Sequence, residues 1–137
     1  EKPCLLVVPQ VDLVEQQAGY VRKNCEASPS VLEVCGDSDA GWRAPDWSEC
    51  LEKHQVLVGT PEIFNRAMVK KSYLQAGTFS LIIFDECHEA VGNHPMAAIC
   101  KDALWPLVKE GRCPRVVGFT GSPSKESMQS STKKVEK

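Results

Sequence analysis

Leu81-Ile82-Ile83-Phe84-Asp85-Glu86-Cys87-His88 is the stretch that decides how this chain folds. Leu81 to Phe84 are apolar without alternation, the pattern of a strand buried on both faces. Two carboxylates follow directly. At the carboxyl end of a buried strand, one such group can hold Mg²⁺, which neutralises phosphate charge. The next can orient and polarise an attacking water. A rigid apolar strand gives the fixed placement that this chemistry requires. An acidic pair in this position also has a plainer reading, a strand running into an acidic turn with Asp85 capping the next helix.

Working outward, four more apolar runs have strand length: Cys4-Leu5-Leu6-Val7-Val8, Val31-Leu32-Glu33-Val34-Cys35, Val56-Leu57-Val58 and Val116-Val117-Gly118-Phe119. Helical patterns lie between them. Leu13, Val14, Ala18, Val21 and Cys25 fit one helical face. A second helix begins at Pro61 with Thr60 in the N-cap position, and Ile63, Phe64, Ala67 and Met68 form its stripe. A third runs from about Pro95 to Leu107, with Pro106 expected to disturb its last turn. The segment 36–45 reads as a loop, and residues 123–137 as a polar tail expected to be mobile. Strand alternating with helix predicts an α/β fold with a parallel sheet and flanking helices. In such sheets ligands gather at the carboxyl ends of the strands. Here those ends carry Pro9-Gln10, Gly36-Asp37, Gly59-Thr60-Pro61, Asp85-Glu86-Cys87-His88 and Thr120-Gly121-Ser122.

Composition narrows the function. With 137 residues, 42% of them apolar, the chain can bury the core of one domain. No apolar run approaches the roughly 20 residues of a membrane span. The net charge of −2 gives no general reason to bind nucleic acid, so that claim must rest on local motifs. Seven cysteines, irregularly spaced and without a Cys-x-x-Cys pair, argue against a disulfide framework or a structural zinc site. They suit a reducing compartment, the cytoplasm or the nucleus. Gly36 and Gly41 have the outer spacing of a phosphate loop, but Trp42-Arg43 stands where Lys and Ser/Thr are required. Trp42 and Trp47 could stack on bases; packing of a loop onto the sheet explains them more simply.

The tetrad Asp85-Glu86-Cys87-His88 resembles motif II of superfamily 2 RNA helicases of the DECH type. The other strand ends resemble further motifs of that family in order. Val8-Pro9-Gln10 with Leu13-Val14-Glu15-Gln16-Gln17 is similar to motif Ia, with Gln10 where the family has Thr. Val58-Gly59-Thr60-Pro61 is similar to motif Ib, and Phe119-Thr120-Gly121-Ser122-Pro123 to motif III, with Gly121 in the usual Ala position. Gly92-Asn93-His94-Pro95 and the segment from Gly36 to Trp47 resemble the Dicer and RIG-I-like branch, and within it the helicase module of Dicer.

The resemblance implies a RecA-like (P-loop NTPase) domain, 1–137, incomplete at its N-terminal side. ATP and Mg²⁺ are its cofactors. It further implies that Asp85 and Glu86 serve the metal, that Glu86 activates water, and that His88 couples hydrolysis to RNA through Thr120 and Ser122. Pro9, Gln10, Gly59, Thr60 and Pro61 would face RNA, double-stranded in this branch. Simple N-capping explains Thr60 as well. Cys87 reads as a packing residue, His94 as a loop or capping residue, and His54 as an ordinary polar residue before a strand. No Gly-x-x-x-x-Gly-Lys-Ser/Thr loop is present in the sequence. The partners implied are therefore an upstream segment carrying that Walker A loop, whose strand belongs inside the sheet, and a second RecA-like domain. Without them the 137-residue chain is expected neither to bind ATP tightly nor to hydrolyse it. Two other functions stay open: a catalytically silent helicase-like module that binds RNA or protein, and a DNA helicase of the same superfamily.

Overall fold

The computed structural model describes residues 2–34 and 41–121. Its centre is a five-stranded sheet, all parallel, in the order β2-β3-β1-β4-β5. The strands are β1 (Cys4–Val7), β2 (Val31–Val34), β3 (Val56–Gly59), β4 (Leu81–Phe84) and β5 (Arg115–Gly118). Each lies on one of the five apolar runs. β1 is the middle strand, and Leu5 and Val7 have no exposed surface. The register aligns Val34, Gly59, Val7, Phe84 and Gly118 in one row across the sheet. The residues just beyond that row therefore share one edge of the molecule.

Side chains alternate between the two faces of each strand, and the two faces carry separate cores. On one face, Val8, Val31 and Val58 pack against Val14 and Ala18 of α1 (Val11–Asn24). The predicted stripe holds through Val21, but Cys25 stands one residue past the helix and is exposed. On the other face, Leu5, Val7, Leu57, Ile82 and Phe84 meet a larger layer. It contains α2 (Ala44–Lys53), α3 (Pro61–Asn65), and α4 (Pro95–Ala98) with α5 (Trp105–Lys109).

Helix α2 replaces part of the loop expected over 36–45. Pro45 lies in its first turn, where a missing N–H costs nothing. The carboxylate of Asp46 accepts the Arg43 N–H at 2.8 Å, which closes the start of the helix. Trp47, Cys50 and Leu51 then turn toward the core. Trp47 is 2% exposed and meets Trp42 edge-to-face at a centroid distance of 5.0 Å. Both rings pack, as the simpler reading of them held, although Trp47 does so from a helix.

The other two helices widen. α3 runs into π-type turns at Arg66–Lys70, and α4 into π-type turns at Ile99–Leu104. Pro106 has no N–H to give to the preceding turn. The Trp105 N–H reaches back five residues to the Cys100 carbonyl, and the helix continues to Lys109. The proline thus loosens the helix, as expected, but upstream of itself and without ending it.

The fifth strand corrects an expectation. Its apolar run predicts burial on both faces, yet Val116 is 41% and Phe119 57% exposed. β5 is an outer strand of the described sheet. Ile83 of β4 and Val117 of β5 stand beside Leu6 in register and are only half-buried, because α1 covers the β1, β3 and β2 side of this face. Every neighbouring pair of strands is directly hydrogen-bonded, so a further strand fits only outside β2 or β5.

Candidate functional site

The carboxyl edge of the sheet is built from main-chain bonds that pass from strand to strand. The Val8 N–H donates to Gly59, the Asp85 N–H to Val7 and the Phe119 N–H to Phe84, each at 2.9 Å. Thr60, Val8, Asp85 and Phe119 are fixed as neighbours in that order. Two strand spacings separate Thr60 from Asp85, about 10 Å. The tips carrying Thr60, Asp85 and Thr120 therefore lie along one rim, as the sequence required.

At Asp85 the strand stops. Its carboxylate accepts the N–H of Glu86 at 3.0 Å. Glu86 adopts a left-handed backbone, φ 53° and ψ 47°, which folds the chain sharply out of the strand. A single 3₁₀ turn, Cys87–Glu89, follows. Asp85, Glu86, Cys87 and His88 are all half-buried, neither sealed in the core nor fully solvated. The sharp turn brings His88 back over the end of β5. His88 Nδ1 lies 2.8 Å from Thr120 Oγ1 and 3.4 Å from Glu86 Oε2. Thr120 and Glu86 thus both face the same ring nitrogen. The Gly121 N–H donates to the other Glu86 oxygen at 3.4 Å.

The turn is seated by a contact that the sequence did not signal. A Cβ on Gly118 would stand 2.9 Å from the Cys87 sulfur and 3.0 Å from its Cβ. Only glycine lets Cys87 approach so closely, and the Cys87 N–H then donates to the Phe119 carbonyl at 2.8 Å. Cys87 is a packing residue, as read. His94 caps α4: its Nδ1 accepts the Met96 N–H at 3.1 Å. His54 bonds Ser30 across 2.9 Å at the end of α2.

The proposed RNA-facing group divides. Gln10 is exposed and Pro9 half-buried, just ahead of α1. Gly59, Thr60 and Pro61 are buried. Gly59 has a packing reason to be glycine, since a Cβ there would meet the Phe64 ring at 2.9 Å and the Val34 carbonyl at 3.0 Å. Thr60 is 4% exposed and occupies the N-cap position of α3 without a side-chain capping bond. Ser122 lies outside the described residues, as do Gly36, Asp37 and the 123–137 tail.

Among the described residues, no three His, Cys, Asp or Glu side chains group into a metal cage. Mg²⁺ does not need one; it is commonly bound by one or two carboxylates together with substrate phosphates and water. Asp85 and Glu86 are hard oxygen donors on a rigid strand end and fit that set. Among the described residues no helix is long and apolar enough to cross a membrane.

Comparison with known proteins agrees with this geometry. Endoribonuclease Dicer homolog 2 of Arabidopsis thaliana is 33% identical over 96% of this chain and 10% of its own length. Endoribonuclease Dicer homolog 3b of Oryza sativa subsp. japonica is 37% identical over 90% of this chain and 7% of its own length. Dicer-like protein 1 of Neosartorya fischeri is 35% identical over 85% of this chain and 7% of its own length. The chain thus spans a tenth or less of these relatives. The DEAD/DEAH box helicase pattern matches residues 1–130. A parallel sheet with an acid pair at the tip of β4, joined to the end of β5, is how this sequence realises that pattern: the chain belongs to the DEAD/DEAH box helicase family.

Proposed function

We propose that this chain is the ATP-hydrolysing part of a Dicer-like, ATP-dependent RNA helicase or translocase that acts on double-stranded RNA. The observation that carries the proposal is the bonded junction of Asp85–His88 with Thr120 and Gly121. It ties the acidic tip of one strand to the tip of the next.

In this reading Asp85 holds Mg²⁺ with the nucleotide's phosphates, and the bound cation neutralises phosphate charge. Glu86 accepts a proton from, and so activates, the water directed at the terminal phosphate. Its carboxylate has lone pairs to spare beyond those that meet Gly121 and His88. His88, bonded to Thr120, transmits a shift of the β5 end to Glu86, and Ser122 extends that link. On the RNA side, the exposed Gln10 at the start of α1 offers its amide to backbone phosphates, helped by the unpaired N–H groups of the helix start. Thr60, Gly59, Pro61 and Pro9 support that rim from within. Contacts of this kind position a nucleic acid without reading its sequence.

Two further segments complete the machine. An upstream segment with a Walker A loop supplies the nucleotide's phosphate cradle, and a second RecA-like domain closes over it. The outer side of β5, open among the described residues, and the half-covered Ile83–Val117 face support the first of these. Cysteines that are irregularly spaced, and free among the described residues, support a reducing location, the cytoplasm in the first instance and the nucleus in the second.

The test is ATP turnover by the full-length protein with RNA duplex, DNA duplex or neither. Stimulation by RNA duplex alone is expected. Equal stimulation by DNA would favour the DNA helicase reading, and no turnover under any condition would favour a silent binding module.

A further inference from the structure

The amino end of the sheet is stitched across the strands much as the carboxyl end is. The Ser80 N–H donates to the Pro3 carbonyl at 2.9 Å, and the Arg115 N–H to the Ser80 carbonyl at 3.2 Å. Cys4, Leu81 and Arg115 stand side by side in register. At this end opens a cleft of about 560 Å³, bounded by Lys2, Ser80, Arg112 and Arg115 with Phe79 and Pro114. It lies a strand's length, about 13 Å, from the rim that carries Asp85 and Thr120.

Three cations line the cleft and, among the described residues, no carboxylate does. The chain as a whole carries a net charge of −2, so this is a local concentration and not a sample of a basic surface. Lys2 Nζ donates to the Gly77 carbonyl at 3.2 Å, a neutral partner that leaves the ammonium charge uncancelled. Arg115 has no ion-pair partner among the described residues. Arg112 meets Glu110 at 3.0 Å, but both side chains are largely exposed, and such a pair yields readily to a stronger anion.

We propose that this cleft is a second ligand site, which binds a compact polyphosphate anion through Lys2, Arg112 and Arg115. Its volume falls within the roughly 300–1,000 Å³ of small-molecule sites. β1 and β5 are two strand spacings apart, about 10 Å, so the cations flank the opening and suit several phosphates better than one. Each guanidinium offers a planar fork of donors to phosphate oxygens. Phe79, 1% exposed, and Pro114 supply an apolar wall, and charge of one sign beside such a wall concentrates the field inside. The Ser80 hydroxyl, 3.2 Å from the Lys2 carbonyl and 3.3 Å from that of Pro3, holds the backbone of the first cation in place.

The test is calorimetric titration of the full-length protein with inositol hexakisphosphate as the probe, in the presence of saturating Mg-ADP. One-to-one binding is expected. Arg115→Gln is expected to weaken it about tenfold, and Arg112→Gln with Arg115→Gln about a hundredfold. Arg43→Gln, which removes a cation at the start of α2, is expected to bind as wild type. The double variant is expected to keep the wild-type unfolding midpoint and RNA-stimulated ATP turnover. No binding to wild type, or an equal loss in Arg43→Gln, would overturn the proposal. So would displacement of the probe by RNA duplex, which would assign the cleft to nucleic acid.

Discussion

At the scale of single residues, the glycines carry information that the acidic pair does not. Asp85 and Glu86 are legible in sequence because they open the tetrad Asp85-Glu86-Cys87-His88; the acidic pair alone reads equally well as a strand running into an acidic turn. Gly118 and Gly59 are not legible, because each is glycine for the sake of a neighbour that only the fold brings close. The close approach of Cys87 to Gly118 exists only once β4 and β5 are paired. Gly118→Ala is therefore expected to force the acidic turn away from β5 and to lower stability by about 1–3 kcal/mol, read by urea unfolding. Cys87→Ala in the same chain is expected to restore only part of the loss. It removes the sulfur at 2.9 Å but keeps the Cβ at 3.0 Å. Full restoration would show that the sulfur alone makes the clash. Thr60 gives the opposite lesson: the sequence offers its hydroxyl to a helix cap or to RNA, and the fold buries it without a capping bond.

At the scale of elements, apolar runs locate all five strands, and the parallel order follows from the helices between them. What the pattern misses is α2. Its upstream stretch is rich in Gly, Asp and Ser, and its Trp47 resembles a loop aromatic, although Trp47, Cys50 and Leu51 have helical spacing. The helix shows its worth through Trp47, which joins Trp42 and Phe64 on the larger core face. Trp47→Ala is expected to cost about 3–5 kcal/mol in unfolding free energy. A loss below about 1 kcal/mol, the range of surface substitutions, would mean that α2 is not anchored to the sheet. The pattern also overstates the burial of β5. Its residues look like those of a central strand, but burial depends on what lies beside a strand, and no described residue covers its outer side.

At the scale of the whole molecule, stability and activity are expected to depend on different groups. Burial, and then the neighbouring Cys87 and Cys113, push the Cys100 thiol above its ordinary pKa; burial does the same to Cys113. The folded chain therefore keeps protons that the unfolded chain releases in alkali. Stability is complete below the ordinary thiol range and declines as pH rises through it. The urea midpoint is expected to fall on the alkaline side, and to fall less in Cys100→Ala. Identical alkaline slopes in the two would exclude Cys100 as a source. Among the described residues, neither the Cys100 nor the Cys113 side chain takes part in the bonded junction of Asp85–His88 with the end of β5, so this decline is expected to be one of folding and not of chemistry. The relatives that this chain matches are ten or more times as long as the chain itself.

The central claim is that β4 presents a carboxylate which activates water for ATP hydrolysis. It is tested most directly by steady-state ATP turnover of full-length wild-type protein and its Glu86→Gln variant at saturating double-stranded RNA. The account expects the variant to bind ATP and RNA as before and to lose about a hundredfold or more in kcat. Turnover equal to wild type would contradict it.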